Sequence, residues 1–218
     1  MDAFTLLLTI HIVCGSASLL LGLLILLLKK GDKRHKLLGK IYFSCMLSAA
    51  LVALPMCFLH PNYFLFIIGI FTTYMLLTGK RYLKKKKISD VTYVDWLLTG
   101  TMLLFGIAFI VFGGIKIIQS NYFGIVFLLF GSIGILFVYQ DTQNFRGGST
   151  YVNYWLTTHI QRMSASYIAT VTAFLVVNNR ILPGVIAWLL PTVLITPLIV
   201  IWTRKHMRKR PVVTQNPV

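Results

Sequence analysis

The chain has no glutamate, and its acidic side chains are five aspartates, Asp2, Asp32, Asp90, Asp95 and Asp141. Charged residues make up 12% of 218, about half the share found in a soluble domain. So little charge cannot cover a water-facing surface of ordinary composition. Cysteine is scarce as well. Cys14, Cys45 and Cys57 all lie in apolar stretches without a CxxC pattern, which excludes a disulfide framework and a zinc ribbon and leaves them as small packing residues. No H-x-x-x-H, HExxH or GxSxG spacing occurs, so the zinc-protease and serine-hydrolase signatures are missing too. There is no internal repeat, low-complexity tract or second domain.

Apolar residues are abundant. Hydrophobic side chains are 57% of the sequence, gathered into runs long enough to cross a bilayer, where about 20 helical residues suffice. Seven runs are predicted at about 4–28, 41–59, 63–79, 91–115, 121–140, 154–178 and 182–202. Each can satisfy its backbone in lipid only as a helix. The expected fold is therefore all-α: a polytopic integral membrane protein of seven transmembrane helices, with a single domain over 1–203 and a basic, disordered tail over 204–218. Only Asp2 precedes the first run, without a basic n-region, and no small-residue cleavage site follows. The run is thus expected to stay as a helix and not to be a signal peptide.

The net charge of +16 is of the size carried by nucleic-acid binders, but its distribution argues for topology instead. Six Lys and Arg lie in "KKGDKRHKLLGK", six in "GKRYLKKKK", one at Arg146 and five in "RKHMRKR". With seven helices these four regions share one side. The other side holds Lys116 and Arg180. This bias places the N-terminus outside and the C-terminus in the cytoplasm. The basic loops face the bilayer surface, where they meet anionic lipid headgroups. No nucleic-acid partner is expected.

Polar residues inside the spans carry a cost that packing alone does not explain. On the first helix His11, Cys14, Gly15, Ser18 and Gly22 fall on one face, expected to meet a neighbouring helix through small residues. On the sixth, His159, Arg162, Ser166 and Thr170 share a face. A buried arginine needs a counter-charge, and Asp95, one turn into the fourth helix, is the expected partner, with Asp141 or an anionic ligand as alternatives. The candidate ligand-binding residues are accordingly His11, Asp95, His159, Arg162 and Ser166. No catalytic residue emerges, and whether the protein is an enzyme stays open.

The histidines support a second reading. By depth they form two pairs, His11 with His60 and His35 with His159, and two imidazoles at each of two levels would suit bis-histidine haem. His35 and His60 lie in or beside loops, an unusual placement for such ligands. His206 belongs to the basic tail and is expected to be solvated.

The stretch "HIVCGSASLLLGLLILLLKKGDKRHKLLGKIYFSCM" and the later "HIQRMSASYIATVTAFLV" resemble a family of bacterial seven-helix predicted membrane proteins catalogued as a domain of unknown function. The shared pattern is a histidine followed by small residues, a K-G-x-x-x-H-x-x-x-G segment and a late H-x-x-R-M. Here these fall at His11, Gly15, Gly22, Gly31, His35, Gly39, His159, Arg162 and Met163. The resemblance implies membership and a bacterial cytoplasmic membrane, and no activity. Three functional readings remain: a small-ligand or lipid-binding protein or transporter with a pocket around His159 and Arg162; a haem-binding electron-transfer protein; and a structural or assembly partner of a membrane complex.

The topology has a direct test. Cysteines placed at Asn62 and Ser120 should react with an impermeant thiol reagent from outside, while one at Lys84 should react only after the inner face is opened. A cytoplasmic Asn62 would reverse the assignment.

Overall fold

The computed structural model describes residues 2–182 and 184–207. Seven long helices follow one another: α1 Ala3–Leu27, α2 Lys33–Leu59, α3 Tyr63–Tyr82, α4 Tyr93–Ile118, α5 Gly124–Phe145, α6 Tyr154–Asn178 and α7 Gly184–His206, with a short 3-10 turn at Ile88–Asp90 before α4. Among the described residues, seven helices are long and apolar enough to cross a membrane. The protein is an all-α, multi-pass membrane protein by this measure.

Helix ends follow local chemistry. Asp2 caps α1 by accepting the Thr5 amide, and Asp32 caps α2 by accepting the His35 amide at 2.6 Å. Asp32 thus starts α2 eight residues before the expected span, so the basic segment containing His35 is the helix's first turns and not a loop. The long stems of Lys and Arg allow this, since their charges can extend to the interface from a helix end. Between the two helices Gly31 takes φ +84°, a left-handed conformation that favours glycine. Lys30 closes α1, its Nζ donating to the Ile25 and Leu26 carbonyls at 2.7 Å; burial holds this ammonium below the ordinary lysine range. At the far end, α7 continues through Arg204, Lys205 and His206, three residues into the expected tail. His206 Nδ1 donates to the Trp202 carbonyl and the His206 carbonyl accepts from Asn153 Nδ2, so His206 is held where solvation was expected. The remainder of the predicted disordered tail, 208–218, lies outside the described residues.

The chain forms two compact units. The first is Met1–Leu77 with Arg162–Leu198, and the second is Thr78–Gln161 with Ile199–Val218; α3, α6 and α7 contribute to both.

In the first unit α1 runs along α2, and α3 is buried along its length, with Ile67, Thr72 and Leu76 at 0% exposure. The small-residue face of α1 is used selectively. Ser18 and Gly22 are buried, and a Cβ on Gly22 would run into the Tyr167 ring of α6. Gly15, expected to lie against a neighbour, faces open space instead.

In the second unit α4 and α5 pack through four glycines at heptad spacing. A Cβ on Gly113 would lie 2.8 Å from the Gly124 carbonyl, and one on Gly131 would lie 2.9 Å from the Gly106 carbonyl. The pairs 106 with 131 and 113 with 124 fix the antiparallel register. Lipid supplies no hydrophobic drive between helices, so this close backbone approach is what gains the dispersion contacts. The outer faces of α4 and α5 present exposed Leu, Ile and Val, such as Leu104, Ile107, Val111 and Leu129, as lipid contact requires.

Two glycines on α4 provide a matched test. Gly113→Ala must push apart two backbones and should cost about 1–3 kcal/mol. Gly114→Ala meets nothing within 4 Å and should leave thermal stability unchanged. Equal effects at both positions would show that α4 and α5 do not meet along this seam.

Candidate functional site

Each unit gathers its own buried polar side chains. In the first unit Arg162 is 1% exposed, and its guanidinium carbon lies 4.9 Å from the centroid of the Tyr74 ring. Such a cation–π contact contributes about 2 kcal/mol when desolvated. One turn along α6, Ser166 shares a hydrogen bond of 2.9 Å with the Tyr42 hydroxyl of α2 and also donates to the Met163 carbonyl. Thr170 continues the stripe, donating to the Ser166 carbonyl at 2.9 Å, with Met46 Sδ 3.2 Å from the same hydroxyl oxygen. Tyr167 donates to the Leu19 carbonyl of α1. The expected polar stripe of α6 therefore faces protein, and α2 supplies the partners Tyr42 and Met46.

His11 joins α1 to α2. Its Nδ1 lies 3.0 Å from the Ala49 carbonyl. A carbonyl only accepts, so Nδ1 carries the proton, and a lone pair for ligation could be offered only by Nε2. That is the posture of a histidine prepared for ligation. His60, its proposed haem partner, is elsewhere: exposed, with its ring 4.1 Å from the ring of Phe4 at the start of α1. Eleven residues of α2, about 16 Å of rise, separate His60 from the carbonyl that His11 engages. Two axial ligands of one iron need nitrogens within about 4 Å of each other. The structure does not bring this pair together. His35, the third histidine of the unit, lies in the first turn of α2 with its Nδ1 buried.

In the second unit Asp95 is 1% exposed, accepts three hydrogen bonds and forms ion pairs with Arg81 and Lys85. Oδ1 takes Arg81 Nε at 2.5 Å and Lys85 Nζ at 2.6 Å. Oδ2 takes the Thr92 amide at 2.9 Å and the Thr92 hydroxyl at 3.1 Å, completing the capping box of α4. A carboxylate offers about four acceptor sites. Those of Asp95 are committed to Arg81, Lys85 and Thr92, where the sequence pointed to Arg162.

Lys85 has a side chain 2% exposed. Its Nζ lies 4.5 Å from the centroid of the Tyr82 ring and 5.0 Å from that of Phe145. Burial pulls this ammonium below the ordinary lysine range, and Asp95 works against that shift.

Asp141, fully buried, accepts from the Tyr82 hydroxyl at 2.8 Å and from Thr99 at 3.2 Å. Asn144 donates to Tyr82 Oη at 3.2 Å and to Thr158 Oγ1 at 3.4 Å. His159, a candidate pocket residue, donates from Nδ1 to the Gly79 carbonyl of α3 at 2.8 Å. These contacts tie together the ends of α3, α4 and α5 and the start of α6.

Sequence reasoning did not pick out Tyr42, Tyr74, Tyr82, Lys85 or Asn144. Tyrosines inside apolar runs were the available signal, because a buried hydroxyl requires a partner. Lys85 gave none, being one lysine among four in "KKKK". Among the described residues no three His, Cys, Asp or Glu side chains converge on a metal-sized site. Comparison of the chain with protein-family models, curated proteins and solved structures finds no match.

Asp95→Ala should destabilise the protein by about 3–5 kcal/mol, because it strands the buried Lys85 charge. Adding Lys85→Met should recover part of the loss. Thermal unfolding of the single and double variants in detergent measures this. Additive losses would show that Lys85 does not depend on Asp95.

Proposed function

We propose that the protein binds or transports a small anionic ligand or a lipid within the polar interior of its first unit. In this reading it spans the bacterial cytoplasmic membrane with its N-terminus outside, and it belongs to the family of seven-helix membrane proteins that its sequence resembles. The observation that carries the proposal is Arg162. Its guanidinium is buried eight residues, about 12 Å, into α6 and lies against the Tyr74 ring. An intramembrane arginine is expensive to keep and marks a functional site by default. Arg162 offers a planar fork suited to carboxylate or phosphate. The Tyr42 and Ser166 hydroxyls, one turn further along α6, supply neutral hydrogen-bonding groups for the rest of a ligand. Ser166 and Arg162 are the residues retained from the sequence reading for this role; Asp95 and His159 serve the second unit's own network.

The test is a thermal-shift titration of the purified protein with small carboxylates and phosphate esters, alongside a mass-spectrometric inventory of co-purifying molecules. An anion that stabilises the wild type should bind at least about tenfold more weakly to Arg162→Lys, which keeps the charge and loses the fork. Tyr42→Phe should weaken it by a smaller factor. Unchanged binding to Arg162→Gln would refute the proposal. An absorption spectrum separates the haem reading, since a Soret band from the purified protein would displace this one.

A further inference from the structure

Among its described residues, the second unit presents exposed positive charge. Its three aspartates are Asp90, Asp95 and Asp141. Asp95 serves Arg81, Lys85 and Thr92, while Asp141 serves Tyr82 and Thr99. Asp90 accepts the Lys87 backbone amide at 2.9 Å and so caps the 3-10 turn. Lys86, Lys87 and Arg146 are exposed.

Two loops distant in sequence carry these cations into one neighbourhood. Gly147, at φ +79°, sits against Ile88, where an added Cβ would lie 2.6 Å from Ile88 Cδ1. The positive φ favours glycine at this turn, and the contact seats the end of α5 on the 3-10 turn; Arg146 and Lys87 each immediately precede a residue of that contact. Lys86 reaches the other way, its Nζ 5.6 Å from the centroid of the Trp155 ring at the start of α6.

Apolar surface adjoins the charge. Ile88 is 50% exposed, Tyr93 81% and Leu97 63%. Tyrosine and tryptophan at helix ends belong to the membrane interface.

We propose that Lys86, Lys87 and Arg146, with Trp155, form a binding site for the headgroup of an anionic phospholipid, whose acyl chains run along Ile88, Tyr93 and Leu97. The occupant follows from the two halves of the surface. A phosphodiester answers the three cations, but only one tethered to acyl chains also covers the apolar side chains beside them. The site is independent of whatever the first unit binds.

Native mass spectrometry of the full chain, titrated with phosphatidylglycerol or phosphatidylcholine, tests the site. The wild type should retain phosphatidylglycerol preferentially. Lys86→Gln, Lys87→Gln and Arg146→Gln combined should weaken that retention by about fivefold per charge removed. The control Lys29→Gln, Lys33→Gln and Lys36→Gln, which removes three exposed cations of the first unit, should stay within twofold of wild type. If the triple variant fails to fold, Arg146→Gln alone should show the single-charge loss. Wild-type retention by the folded variant would overturn the site. So would an equal loss in the control, which would indicate bulk charge, or displacement of the lipid by inorganic phosphate at comparable concentration, which would indicate a phosphate site.

Discussion

In hydrocarbon a polar group finds its partner inside the protein or goes without, and every other feature of this chain depends on that constraint. The backbone meets it by folding each apolar run into a helix. Side chains meet it locally where they can: Ser18, Thr101, Thr142 and Thr170 each return a hydroxyl hydrogen bond to the carbonyl four residues earlier. Groups that cannot be satisfied within one helix join two. His11 links α1 to α2, Ser166 links α6 to α2, and Asp141 links α5 to α3 and α4. Polar residues therefore act as fasteners between elements whose apolar surfaces would be equally content against lipid. Glycine does the complementary work on α4 and α5, where two backbones approach without any side chain between them.

Charge sharpens the same constraint. Asp95 performs three tasks with one carboxylate: it caps α4, neutralises the buried Lys85 and holds Arg81 at the end of α3. Removing a buried ion pair entirely is often tolerated, whereas removing one partner strands the other. Lys85, Tyr82, Phe145 and Asp95 are for that reason one structural unit, and the segment between α3 and α4 is anchored near its start by the lysine. Its neighbours Lys86 and Lys87 are exposed and free of that task, so they, with Arg146, can serve a headgroup while Lys85 cannot.

How much of this was legible in sequence follows from range. The existence of seven spans rests on composition over some 20 residues, and α6 has the predicted bounds, 154–178. Helix starts were less legible, because an N-cap such as Asp32 can begin a helix outside the apolar run. The depth of Asp95 could be read from its place one turn into α4, but its partner could not, since pairing is decided by which neighbour brings a cation within reach. Burial of one lysine in "KKKK" likewise depends on Phe145, which is distant in sequence, as well as on nearby Tyr82. The face of α1 was legible as a face; that Ser18 and Gly22 meet another helix while Gly15 does not depends on where α6 places Tyr167.

The imidazole of His11 shows how a structural role and a chemical one can share a side chain. Residue 49 lies mid-helix in α2, so its carbonyl already has a place in the backbone ladder, and a carbonyl has a second lone pair. The Nδ1–H of His11 uses that second site, binding α1 to α2 without breaking the ladder. Because Nδ1 must keep its proton to hold this bond, any protonation or ligation has to occur at Nε2 and leaves the link between the helices intact. A second imidazole from His60 cannot meet it there, being two turns away along α1 and about 16 Å along α2. Fastening the helices with one nitrogen is what leaves the other unspent, so an ionisable ring can persist in an apolar segment for packing alone while remaining available for chemistry.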